Sequence, residues 1–226
     1  MKSKLATLIF LLAVFYSCKK ITNIEVTSPT SGEFTYKLLD DAGKGISNVK
    51  VSVFDRLEGR PVLYESLTDN NGVADFGKIN SGSYFIRADS PAVNNIKYSI
   101  QEYVQVLTGK PKHKEIKVSD YSGTLNITII NHNYYNPLKN IGVLVIPTNR
   151  FTYDLPTTSY FGVADYKGVS DAKGFVSFKV PSNKEYTLYL YNITTNVRYD
   201  WPGTFSIQKG STTNLSLYIY GEQPGN

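Results

Sequence analysis

One phrase occurs twice in this chain. Thr68-Asp69-Asn70-Asn71-Gly72-Val73-Ala74-Asp75-Phe76 returns as Ser170-Asp171-Ala172-Lys173-Gly174-Phe175-Val176-Ser177-Phe178. The offset is 102 positions for the Asp (69 to 171), the Gly (72 to 174) and a later Tyr (84 to 186). A motif copied at fixed spacing means one structural unit built twice. In each copy the Asp side chain can close a turn, and the Gly supplies the positive φ that such a turn needs. Beyond the first turn, Phe76 alternates with Asp75 and Gly77. Tyr84 and Ile86 then alternate with Ser83, Phe85 and Arg87. That period of two is the mark of half-buried strands.

A second echo sets the layout. Gly45-Ile46-Ser47-Asn48-Val49-Lys50-Val51-Ser52-Val53 recurs as Pro137-Leu138-Lys139-Asn140-Ile141-Gly142-Val143-Leu144-Val145, at an offset of 92 (48 to 140). The two offsets differ by 10, so the second unit carries an insert of that size within residues 147–169. Alternation also marks strands around 34–38, 49–53, 62–67, 98–107 and 115–118 in the first unit. In the second it marks 125–129, 186–191, 197–207 and 214–220. No long stretch shows helical periodicity, and Tyr and β-branched residues abound, so the chain is expected to be all-β. Short strands about ten residues apart point to sandwiches. Few residues (119–122) separate the units, which are expected to abut as a semi-rigid rod.

Lys2 and Lys4 precede an apolar run over residues 5–16. The run is too short to cross a bilayer, which takes about 20 residues, and has the form of a signal-peptide core. It stops at Ser17-Cys18-Lys19-Lys20, and Cys18 is the only cysteine of the chain. A small residue followed by Cys at this place resembles a bacterial lipobox, whose Cys is acylated and becomes the first mature residue. The resemblance implies a lipid anchor on Cys18, a membrane partner and a cell outer-membrane location. An ordinary secretory signal with an incidental Cys is the alternative. The polar residues 19–31 read as a tether.

The segments Asp41-Ala42-Gly43-Lys44-Gly45-Ile46-Ser47-Asn48-Val49-Lys50-Val51, Thr68-Asp69-Asn70-Asn71-Gly72 and Gly82-Ser83-Tyr84-Phe85-Ile86 resemble the carboxypeptidase-regulatory-like and prealbumin-like domains. Those are transthyretin-like Greek-key sandwiches that also build Gram-positive pilin repeats. The resemblance implies the fold and is almost silent on function. Some pilin-type relatives carry a Lys–Asn isopeptide bond. Lys37 could stand for the Lys, but Ala88 follows Arg87 where the assisting Glu would be, and 115–118 holds no Asn, so no such bond is expected. The expected architecture is two tandem Greek-key β-sandwiches, transthyretin-like or Ig-like, after a lipoprotein signal peptide. The divisions are 1–17 signal peptide, 18–32 lipidated Cys and tether, 33–119 first sandwich, 123–220 second sandwich and 221–226 tail.

Catalytic chemistry is thinly provided. His113 and His132 lie near no nucleophile motif, and no His or Cys has metal-ligand spacing. Asp40-Asp41 and Asp69-Asn70-Asn71 offer oxygens for calcium, but turn chemistry accounts for both. No enzyme activity, cofactor or metal is expected. There are 24 basic and 19 acidic residues, without a Lys/Arg block, so nucleic acid is not an expected partner. The insert is the functional lead. Phe151, Tyr153, Tyr160, Phe161 and Tyr166 crowd it, and Tyr134, Tyr135, Tyr199 and Trp201 fall on nearby loops. Aromatics on loops bind protein partners or stack on sugars; the other reading is that they cover a core. Phe151, Tyr153, Tyr160, Phe161, Tyr166 and Trp201 are the candidate partner-binding residues. The expected function is a non-catalytic binding or scaffold subunit of an outer-membrane assembly or surface appendage, with a carbohydrate-binding accessory lipoprotein as the alternative.

Overall fold

The computed structural model describes residues 30–55, 61–199 and 203–220. The expected signal peptide, Cys18, most of the tether, Trp201 and the tail lie outside the described residues. The fold is all-β, two sandwiches in tandem. The first is built from β1 (Ser31–Leu39), β2 (Lys50–Phe54), β3 (Val62–Leu67), β4 (Val73–Asn80), β5 (Gly82–Ala88), β6 (Ala92–Val93), β7 (Ile96–Lys97), β8 (Ile100–Val106) and β9 (Lys112–Lys117). One layer runs β4-β1-β9 and the other β3-β2-β5-β8, while β6 and β7 form a small hairpin. The second is built from β10 (Ser122–Asn131), β11 (Ile141–Pro147), β12 (Tyr166–Val169), β13 (Phe175–Pro181), β14 (Glu185–Asn192), β15 (Arg198–Tyr199), β16 (Thr204–Ser206) and β17 (Thr212–Ile219). Its layers are β13-β10-β17 and β12-β11-β14, with β15 and β16 both paired to β14.

Alternation explains which side of each strand is inside. Phe34, Tyr36 and Leu38 of β1 meet Val51 and Val53 of β2 and Tyr84, Ile86 and Ala88 of β5 in the first core. Leu125, Ile127 and Ile129 of β10 meet Val143 and Val145 of β11 and Tyr186, Leu188 and Leu190 of β14 in the second. Each large side chain so buried contributes about 1.5–3 kcal/mol. The last strand of each sandwich runs parallel to the first: β9 beside β1 with Leu39 opposite Lys117, and β17 beside β10 with Asn131 opposite Ile219.

That register fixes the order of the ends. The end of β1 and the end of β9 lie together, where the chain enters a 3₁₀ turn at Val118–Asp120 and then β10. Val118 and Tyr121 are buried in the first core. The Ser182 amide donates to the Tyr121 carbonyl (2.8 Å), the Lys184 ammonium donates to the Lys97 carbonyl (2.9 Å), and the Lys209 ammonium sits 3.5 Å from the Tyr121 ring centre. The connection is therefore packed. β10 starts at this junction and runs its 10 residues away from it, about 30 Å. Ser31 and the loop 132–137 consequently lie at opposite ends of a head-to-tail pair.

Candidate functional site

The repeated turns are built alike. The Asp69 carboxylate accepts the amides of Asn71 and Val73, both at 2.8 Å, and Asp171 accepts those of Lys173 and Phe175 (2.8 and 2.9 Å). Gly72 and Gly174 take φ of 78° and 69°. These amides hold the Asp69 carboxyl below the usual carboxylate range. A further clamp went unread in the sequence. The Thr68 hydroxyl donates to the Ile46 carbonyl and accepts the Val49 amide, and Ser170 does the same with Leu138 and Ile141. Asp40 spends its carboxylate on the amides of Ala42 and Lys44. These oxygens serve turns. His113 lies in β9, hydrogen-bonded to the Thr35 hydroxyl at 2.7 Å, and Lys37 pairs with Glu115 at 3.0 Å.

The insert follows β11 as a 3₁₀ turn at Thr148–Arg150 and a one-turn helix α1 (Thr157–Tyr160). It folds over the face of β11 and β14 that points away from the core. In the first sandwich the matching face carries cross-strand pairs Ser52–Arg87 and Phe54–Phe85, with Lys50 near Glu65 and Asp89 and the Arg87 guanidinium over the Phe54 ring. At the same two places the second sandwich has Leu144–Tyr189 and Ile146–Thr187. An apolar outer face needs a cover. Leu144, Ile146, Tyr160 and Tyr189 form a third core, with Phe151, Phe161 and Tyr191 packed against it. Tyr160 lies 4.4 Å centre-to-centre from Tyr189 and stacks on Phe151 at 5.2 Å, and its hydroxyl donates to the Thr152 carbonyl.

This corrects the assignment of Tyr160 to a contact surface: it is fully buried, because the sheet beneath it is apolar. Phe151 and Phe161 are half-buried against the same cluster, and Tyr166 is half-buried against the second core. Tyr153 is exposed, its ring edge-on to Phe151 at 5.0 Å. Trp201 lies outside the described residues.

The end of the insert also reaches the junction. The Asp165 carboxylate is nearly inaccessible and pairs with Arg150 and, at 3.8 Å, with Lys184, the residue that bridges to Lys97. Burial depresses the Lys184 ammonium below its ordinary range, with Asp165 opposing the shift. A cleft of about 470 Å³ opens here between the sandwiches, lined by Lys97, Tyr98, Arg150 and Lys184 among others.

At the far end of the second sandwich lies an aromatic patch. Tyr134 and Tyr135 of the β10–β11 loop, Tyr218 of β17 and Tyr220 beyond it are exposed by 67, 73, 47 and 71%. Tyr135 faces Tyr218 at 6.3 Å and 68°, and His132 lies 4.3 Å from Tyr220. Tyr134 and Tyr135 are the loop aromatics expected from the sequence; their meeting with Tyr218 and Tyr220 depends on the parallel pairing of β17 with β10.

A family match agrees with the fold of the first sandwich. Residues 28–128 match a family of Ig-like domains described as DR_A0283-like, a span that covers the first sandwich and part of β10. No curated protein matches the chain in sequence. Among solved structures, the TIE protein of Bacillus anthracis is 18% identical with a TM-score of 0.38, over 85% of this chain and 35% of that one. The chain thus spans about a third of that protein. GBS52, a minor pilin of Streptococcus agalactiae, is 15% identical with a TM-score of 0.39, over 86% and 98% of the two chains. A D312A form of BcpA, the major pilin subunit of Bacillus cereus, is 10% identical with a TM-score of 0.32, over 84% and 100%.

Proposed function

We propose that this chain is a lipid-anchored cell-envelope protein, tethered through Cys18 to the outer membrane. Its two sandwiches, transthyretin-like in their motifs, serve as a non-catalytic scaffold that holds a binding surface away from the bilayer and joins a surface assembly. The observation that carries this reading is the head-to-tail packing. Ser31, where the tether enters, and the loop 132–137 stand at opposite ends, and the connection between the sandwiches is buried. Two strand lengths give a reach of about 60 Å. The Asp69 and Asp171 carboxylates of the repeated turns, and that of Asp40 between β1 and β2, accept backbone amides, which supports a role without catalysis. The test is co-purification from detergent-solubilised membranes, with incorporation of an alkyne-labelled fatty acid read in parallel. A stoichiometric protein partner, and label lost in Cys18→Ser, are the expected results. An unlabelled chain that runs alone would sink the proposal.

A further inference from the structure

We infer that the distal tip of the second sandwich is a stacking site for the rings of a neutral glycan. This goes beyond the scaffold role and does not depend on it, since it concerns only the end of the molecule remote from the tether.

The first ground is a backbone oddity. Tyr135 has φ of 56°. The corresponding place in the first sandwich, two residues before Gly45 as Tyr135 is two before Pro137, is Gly43 with φ of 81°. A left-handed backbone is at home with Gly and strained for a side chain as large as Tyr. Strain of this kind persists where surrounding structure imposes it, and it gathers at functional sites. Here the turn holds it, the Tyr135 amide donating to the Asn131 carbonyl at 2.9 Å, while the residue is 73% exposed. What the strained residue provides is a phenol ring held out from the tip.

The second ground is the company that ring keeps. Tyr135 and Tyr218 stand nearly at right angles, 6.3 Å apart. They make a corner in which a pyranose can lay its C–H face on one ring and abut the other. Tyr220, braced by His132, widens the platform. Rings of this kind are rigid and amphipathic, apolar on the face and hydrogen-bonding at the rim. The two segments that carry these rings, 131–137 and 214–220, contain no Asp, Glu, Lys or Arg; Asp171 and Lys173, of opposite sign, lie in the turn that packs on Pro137. A charged ligand would find no counter-charge on the two segments. Asn133, two residues before Tyr135 in the same loop, is exposed and adds a neutral amide. Exposed aromatic faces with hydroxyl rims, on segments without charge of their own, fit a polyhydroxylated, uncharged ring.

The test runs the purified full chain, in detergent, through native gels cast with a soluble glucan, mannan or galactan, and with polygalacturonate as the acidic control. At least one neutral polymer should retard the chain more than the acidic one. Tyr218→Ser should weaken that binding at least tenfold. Tyr135→Gly should abolish it while leaving Tm unchanged or raised, because Gly relieves the backbone; a residue with a merely structural role would not give loss of binding together with undiminished stability. The inference is overturned if no neutral polymer retards the chain, if only polygalacturonate does, or if Tyr135→Gly binds as the parent does. Capture of a protein through the same tyrosines, without polysaccharide binding, also overturns it.

Discussion

A Cβ placed on Gly72 would lie 2.2 Å from the Leu38 carbonyl oxygen, on a backbone at φ 78°. The turn therefore excludes any side chain on two counts. Gly72→Ala should lower stability by about 2–3 kcal/mol. Gly43→Ala meets open space at a similar φ and should cost only about 1 kcal/mol. Urea denaturation of the two variants checks the difference; equal losses would mean that the close approach to Leu38 does not matter. Such turns were legible because Asp and Gly at fixed places have few other uses. Tyr135 was not legible in the same way. Nothing local marks a Tyr as left-handed, and only the comparison of its loop with Gly43 shows the exchange.

The insert shows what spacing can and cannot tell. Its existence follows from the mismatch between two repeat offsets. Its role depends on Leu144 and Ile146, which sit at outward positions of β11 and need a lid. Alternation alone reads those two residues as an ordinary buried strand, and a Tyr suits a lid as well as a docking surface. Tyr160→Ser should therefore destabilise the protein by about 3–4 kcal/mol. Tyr153→Ser, at an exposed position, should stay within about 0.5 kcal/mol. Thermal or urea unfolding separates them, and a Tyr160→Ser protein of unchanged stability would overturn the assignment of that residue to a core.

At the scale of the whole chain, the two halves share a packed seam. Val118 and Tyr121 lie beyond the last strand of the first sandwich yet belong to its core. A fragment of residues 19–117 should be roughly 3–5 kcal/mol less stable than one of 19–121, from the core side chains of Val118 and Tyr121 that it lacks; equal urea midpoints would refute this. The parallel partnership of β1 with β9 left no trace in the sequence. Pairing between segments so far apart is set by the closed topology, whereas alternation reports only which face is buried.

That partnership has a mechanical consequence. If the chain is pulled by its two ends, force enters the first sandwich at Ser31 and leaves at Lys117, which lie at opposite ends of neighbouring, parallel strands. The strands are then dragged past each other, and every hydrogen bond from Phe34–Lys112 to Leu39–Lys117 is loaded at once. A hairpin pulled from its open end would instead unzip one bond at a time. The first sandwich is thus arranged to resist tension along its length with its whole ladder together.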